Sequence, residues 1–271
     1  MVAWHVLTET VRGASHHRNG LPNQDAVAYH QPLEGHVPLL AAIADGHGSK
    51  HCSHSHLGAK FAVEAALENV NSLFNTPNLT LPQIRMLAEN VPKAISNCWR
   101  NKIDAYINNH LRIENSLQIK PGTKNRYLPF GTTLLVSCVL TECILYWQLG
   151  DGDIAIINRD NSLTLPMADD ARLLGNDTTS LCSSKPWQDF RFTFMPLVDT
   201  SPKALFLVTD GYKNSFKLTE GFYQALADIS EFIDTDGAAS VQQALAGWLN
   251  ETSQQGSGDD ITLAVIYTRD K

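Results

Sequence analysis

Leu39-Leu40-Ala41-Ala42-Ile43-Ala44-Asp45-Gly46-His47-Gly48 sets the reading of the whole chain. Six apolar residues in a row have the length of a strand, and the lack of polar alternation marks a strand covered on both faces. The run stops abruptly at a carboxylate followed by glycine. Trp147-Gln148-Leu149 runs likewise into Gly150-Asp151-Gly152-Asp153, and Leu205-Phe206-Leu207-Val208 into Thr209-Asp210-Gly211. In a fourth case the order is reversed, and Gly258-Asp259-Asp260 leads into the apolar run Ile261–Ile266.

A carboxylate at the end of a buried strand is rigidly held, and a following glycine lets the backbone turn sharply beside a ligand. Carboxylates gathered at one place repel each other unless cations neutralise them. An all-oxygen set selects hard ions, Mg²⁺ or Mn²⁺ rather than Zn²⁺. Asp-Gly is also a common turn dipeptide. Spacing alone therefore leaves the turn and metal-ligand readings both open.

Outward from these runs, strands are expected near Trp4–Val11, Asp25–His30, Thr132–Leu140, Ile144–Leu149, Ile154–Asn158, Phe190–Met195, Ala204–Thr209 and Ile261–Thr268. Thr141-Glu142 reads as a hairpin turn. Helical periodicity covers Ser55–Val70, Phe222–Ile229 and Ala238–Asn250, and Leu81–His110 reads as one long helix broken or kinked at Pro92. Strands, two helices, a run of strands, two helices and a last strand do not alternate as a doubly wound sheet does. Antiparallel sheets with helices packed outside fit better. The polar stretch Asn161–Asp189, with Pro166 and Pro186, reads as a surface excursion. No repeat or linker divides residues 1–271, so a single domain is expected.

Composition bounds the function. Of the 271 residues, 43% are hydrophobic and 18% charged, enough apolar material for a core and unlike a disordered chain. The net charge of −7 argues against an electrostatic nucleic-acid binder and suits a site that collects divalent cations. The five cysteines (Cys52, Cys98, Cys138, Cys143, Cys182) are odd in number and form no Cys-x-x-Cys pair, which argues against a disulfide framework or a thiolate zinc site. His47, His51, His54 and His56 crowd together, with helical spacing between His47 and His51, but the third ligand at fixed spacing is missing. The N-terminus lacks the basic start and apolar run of a signal peptide. The apolar stretches fall far short of the ~20 residues of a membrane span. A cytoplasmic protein without membrane contact is expected.

The ordered set Asn23-Gln24-Asp25-Ala26, Ala44-Asp45-Gly46-His47-Gly48, Gly131-Thr132-Thr133, Leu149-Gly150-Asp151, Thr209-Asp210-Gly211 and Gly258-Asp259-Asp260-Ile261-Thr262 resembles the metal-dependent (type 2C) protein serine/threonine phosphatases. The openings Gly13-Ala14-Ser15-His16 and Gly20-Leu21-Pro22-Asn23-Gln24-Asp25 look most like a bacterial branch. The resemblance spans Val11 to Ile266. It implies an α+β fold, a four-layer α-β-β-α sandwich of two antiparallel sheets, with two Mn²⁺ or Mg²⁺ ions at one edge. Asp25 would face the ions, Asp45 bridge them, the Gly46 carbonyl ligate one, and Asp210 and Asp259 complete the set. Asp260 would stand behind the ligands, and Asp151 would help Asp210 hold a weaker third ion. His47 is the implied general acid, and residues 161–189 take the place of the family's flap. Gly20 stands where many members carry a phosphate-gripping arginine, leaving Arg18 and His16 as substitutes. The implied activity is hydrolysis of phosphoserine or phosphothreonine in a phosphorylated protein partner by a metal-activated water, by a monomer. The alternatives are a catalytically weak phosphoprotein-binding module on the same fold and a hydrolase of small phosphate esters.

Overall fold

The computed structural model describes residues 2–73, 78–111, 126–168, 170, 178–198 and 201–269. Ten strands form two antiparallel five-stranded sheets. One sheet runs β1 (Ala3–Val11), β10 (Ile261–Arg269), β9 (Ala204–Val208), β6 (Asp153–Ile157), β7 (Leu163–Thr164) in spatial order. The other runs β2 (Ala26–His30), β3 (Leu39–Ala44), β4 (Leu134–Val139), β5 (Cys143–Leu149), β8 (Arg191–Pro196). The sheets face each other through Ile43, Leu135, Ile144, Leu205, Leu207 and Ile266, all fully buried.

Each sheet has a helical layer on its outer face. Leu40, Val136 and Trp147 meet α2 (Ser55–Leu73) and α4 (Val91–Leu111), whose Ala62, Ala66, Ile95 and Trp99 are buried. Phe206 and Leu263 meet α6 (Thr219–Thr235) and α7 (Ala238–Gln255) through Phe222, Leu226, Leu245 and Leu249. The four layers explain why β3, β4, β5 and β9 are buried at every position and apolar at all but Ser137 and Gln148: both faces of each strand are covered. Each fully buried aliphatic or aromatic side chain contributes about 1.5–3 kcal/mol by leaving water. The two indoles are also paired, Trp99 Nε1–H donating to Gly58 O at 2.9 Å and Trp147 Nε1–H to Ala88 O at 3.0 Å.

The expected long helix over 81–110 is two helices, α3 (Leu81–Ala88) and α4, parting at Glu89–Asn90. Pro92 sits in the first turn of α4, where its missing N–H leaves no helical bond unmade. Two short helices, α1 (Ala14–Asn19) and α5 (Asp210–Lys213), and the two-residue β7 were not expected. The expected excursion 161–189 contains β7 and a 3₁₀ turn at Pro186–Gln188; its residues 169 and 171–177 lie outside the described residues. No described helix is long and apolar enough to cross a membrane.

Candidate metal-carboxylate active site

One end of the sandwich collects the end of β1, the start of β2 and the end of β3. The ends of β5 and β9 and the start of β10 reach the same place. Every aspartate singled out above sits there, so strand ends from both sheets supply the site. Asp45, His47, Asp151, Asp210 and Asp259 line a cleft of about 610 Å³.

Asp45 is fixed by the Gly131-Thr132-Thr133 segment across from it. Its N–H donates to Thr133 Oγ1 at 3.0 Å, and its carbonyl accepts Thr133 N–H and Thr132 Oγ1, each at 2.8 Å. Asp25 is buried behind the cleft, its Oδ2 accepting the Thr209 hydroxyl at 2.8 Å. Thr209 Oγ1 in turn accepts Thr262 N–H at 2.9 Å, which ties β9, β10 and Asp25 together. Asp210 opens α5 directly after β9, and Asn214 Nδ2 donates to its Oδ2 at 2.9 Å. Asp259 is the exposed member, held through its backbone by Ser253 Oγ at 2.8 Å and Ser257 Oγ at 3.2 Å.

The electrostatics are those of crowded acids. Burial, then the charges of Asp25 and Asp210, push the Asp45 carboxyl well above the ordinary aspartate range. Asp25 is raised by burial and by Asp260 and Asp259, against hydrogen bonds from Thr262 and Thr209. Asp210 is raised by burial and by Asp151 and Asp259, and it accepts a hydrogen bond from the Asp45 carboxyl. Asp259 is raised by burial, with His16 opposing. Such a cluster gains by exchanging protons for a hard cation, and its donors are all oxygen. These residues therefore fit a divalent ion of the Mn²⁺ or Mg²⁺ kind.

Asp260 plays a different part. It is 3% exposed, and its two oxygens accept Gly13 N–H and Gln24 N–H, each at 2.6 Å. His16 Nδ1 stands 2.8 Å from Asp260 Oδ1, and its Nε2 is 3.9 Å from Asp259. His16, Asp259 and Asp260 form a three-donor group, but the backbone amides already occupy Asp260. His47 lines the cleft; burial lowers its imidazole below the usual histidine range and Asp151 partly offsets this.

Residues 12–250 match the family of protein phosphatase 2C. The chain belongs to that family. It is a protein phosphatase of the type 2C kind. Among solved structures, the catalytic domain of the serine threonine protein phosphatase PstP in complex with two manganese ions is 18% identical, with TM-score 0.59 and full coverage of both chains. Stp1 from Staphylococcus aureus is 15% identical with TM-score 0.60, covering 100% of this chain and 96% of that one. The S. agalactiae serine/threonine phosphatase is 18% identical with TM-score 0.60, covering 98% of this chain and 100% of that one. At these identities the likeness is one of fold. The comparison with curated proteins gives no match.

In this phosphatase Gly20 has a physical reason to differ from arginine. It caps the C-terminus of α1 in the left-handed region, φ 67°, where a side chain is strained. Arg18 is exposed, and its Nη2 lies 3.8 Å from where a Cβ on Gly258 would stand, at the Asp259 side of the site. No hydrogen bond or ion pair holds its guanidinium among the described residues. His16 differs from the expectation of a phosphate contact: it is buried against Asp260. The histidines at 47, 51, 54 and 56 form no three-donor group among the described residues; His54 packs on His56 and Phe130 instead.

Sequence reasoning missed the residues that hold these aspartates in place. Thr209 carries Asp25, and Lys213 Nζ sits 3.0 Å from Asp153 Oδ1, bracing the Asp151 turn against α5. The signal for Thr209 was present, as the residue between β9 and Asp210. Nothing local in the sequence marks Lys213.

Proposed function

We propose that this chain hydrolyses phosphoserine and phosphothreonine monoesters in a phosphorylated protein, using two Mn²⁺ or Mg²⁺ ions held in the carboxylate cleft. The observation that carries the reading is the convergence of Asp25, Asp45, Asp210 and Asp259 from four strand ends, each carboxyl raised by burial and most of them by one another. A cluster so costly without cations has no use in a module that only binds phosphoprotein. When bound, the ions supply an activated water and offset charge on the phosphoryl oxygens.

The chain's own residues do the rest. Asp45 and Asp210, facing each other, hold the centre of the cage, with Asp25 behind, Asp259 at the rim and the Gly46 carbonyl beside Asp45. Asp151 extends the acidic wall toward a weaker third site. His47, on the same wall, donates the proton that the leaving seryl or threonyl oxygen requires. Arg18, free and at the rim, offers its planar fork to the phosphate.

The test is turnover of phosphoserine and phosphothreonine peptides beside p-nitrophenyl phosphate, with Mn²⁺, Mg²⁺ or EDTA. Peptide turnover that needs the ion and stops in EDTA is expected. Full activity in EDTA, or recovery with Zn²⁺ alone, overturns the reading. Turnover of the small ester alone moves the assignment to small phosphate esters.

A further inference from the structure

Three backbone segments lie side by side at the mouth of the cleft. Gly131–Thr132 is the middle one. Gly46 bridges to Thr132 on one side, and His47 N–H donates to Gly131 O at 3.1 Å. On the other side Leu181 N–H donates to Thr132 O at 3.0 Å, and Thr132 N–H to Ser180 Oγ at 3.2 Å. The two walls of the cleft are thus pinned at a fixed separation across a glycine.

Because residue 131 has no side chain, the space above it is filled from both walls. A Cβ there would stand 3.1 Å from Cys52 Sγ, 3.2 Å from Cys182 Sγ and 2.7 Å from His47 Cδ2. The two thiols, distant in sequence, converge on one point beside the cleft histidine. Both line the cleft. Each sulfur accepts a serine hydroxyl, Ser49 Oγ at 3.3 Å and Ser180 Oγ at 3.2 Å, and each sits within the other's electrostatic reach. The other three cysteines are placed differently: Cys138 and Cys143 are fully buried under α2 and α4, and Cys98 bonds Glu68 on the helical layer. All five are free thiols in this structure.

We propose that Cys52 and Cys182 are a reversible disulfide site that staples the two walls of the cleft together across Gly131. The oxidant is a small disulfide of the glutathione class. One cysteine thiolate attacks a sulfur of that disulfide, forming a mixed disulfide and expelling one glutathione thiolate. The second cysteine thiolate attacks the protein sulfur of the mixed disulfide, forms the Cys52–Cys182 bond and expels the second glutathione. Two protons pass from the cysteines to the two glutathiones, so the protein pair is oxidised and the small disulfide reduced. Burial raises the Cys182 thiol, opposed by the Ser180 hydroxyl, so exchange proceeds over minutes to hours. The two sulfurs must close on each other to form the bond, since a disulfide demands about 2.05 Å between them. The bond occupies the space that the His47 ring borders, and it holds Ser180–Cys182 against the loop after β3. Its effect on turnover rests on the phosphatase reading above; its formation does not.

The experiment treats the reduced, desalted protein with oxidised or reduced glutathione, alkylates free thiols and maps peptides without reductant. Oxidised glutathione alone should join the Cys52 peptide to the Cys182 peptide, with the loss of two hydrogens, and dithiothreitol should separate them. Turnover of p-nitrophenyl phosphate with Mn²⁺ should fall by roughly fivefold or more and return with dithiothreitol. Cys52→Ser and Cys182→Ser should each lose the linked peptide, and the variant that keeps the attacking cysteine should retain a glutathione adduct there that dithiothreitol removes. Alkylation of both cysteines after oxidation, stable glutathione adducts that never resolve, or a link to Cys98 instead overturns the site. A linked peptide with turnover unchanged overturns the closing of the cleft. The mapping on the unsubstituted protein decides the matter even where a variant fails to fold.

Discussion

Asp260 Oδ2 accepts the Gln24 amide at 2.6 Å, and through it the start of β10 fixes the residue that precedes Asp25. The same carboxylate accepts Gly13 N–H at 2.6 Å, so one side chain joins three segments of both sheets. Asp260→Ala leaves two buried amides unpaired, each costing about 1–3 kcal/mol. The expected loss of stability is about 2–5 kcal/mol, read as a lowered midpoint in urea. Asp260→Asn keeps one acceptor and should lose less than half as much. Equal midpoints for the wild type and Asp260→Ala would remove Asp260 from this role.

The crowded carboxylates set a second expectation. Asp45→Asn relieves repulsion with Asp25 and Asp210, so the ion-free variant should melt higher than the ion-free wild type. Mn²⁺ should raise the melting temperature of the wild type, as any ligand of the native state does. It should leave Asp45→Asn nearly unmoved and its phosphatase activity lost. Calorimetry with and without EDTA measures both, and equal Mn²⁺ shifts in the two proteins would make Asp45 a turn residue.

Arg18 and His16 separate by kinetics. Arg18→Ala should raise KM by about tenfold, equivalent to ~1.4 kcal/mol, with Mn²⁺ affinity unchanged. His16→Ala should weaken Mn²⁺ binding instead, because His16 braces Asp260 and Asp259. A raised KM in His16→Ala with unchanged Arg18→Ala would exchange the two roles.

Lys213 and Asp153 form a partly buried pair, and among the described residues Asp153 Oδ2 has no hydrogen-bond partner. Lys213→Met strands that carboxylate and should cost about 1–3 kcal/mol, discounted for the exposed part of Lys213. The double variant Lys213→Met/Asp153→Leu should recover part of it. Strictly additive losses would show that the two side chains do not couple.

The fold was legible where burial writes itself into composition. Leu39–Ala44 is apolar throughout, and Cys143–Leu149 at all but Gln148, because layers cover both faces, and a run of that kind needs no partner to be noticed. Helices α1 and α5 were not legible, since six and four residues are too short to display a period. Helix α6 begins at Thr219, before the expected Phe222, because Glu220 and Gly221 on its first turn face solvent and carry no apolar signal. At the site, the aspartates announce themselves as breaks in apolar runs. Their supports are less plain: Thr209 stands beside Asp210 in sequence, but its bond to Asp25, like that of Gly13 to Asp260, forms only when distant strand ends meet. The displacement of His16 toward Asp260 has the same origin.

The place of β10 has a consequence for how the molecule is made. It is the last strand in the chain, yet it lies between β1 and β9 and registers with β1 from Ala3↔Arg269 to Val11↔Ile261. During translation β1 is made long before β10, the neighbour it pairs with. Until β10 is made, the sheet is split, β9 presents an unpaired edge, and Asp259 and Asp260 are missing from the acidic cluster. A growing chain of this kind exposes apolar edges until β10 is made and invites aggregation or chaperone capture. A fragment cut before residue 259 consequently lacks β10 and leaves its sheet open between β1 and β9.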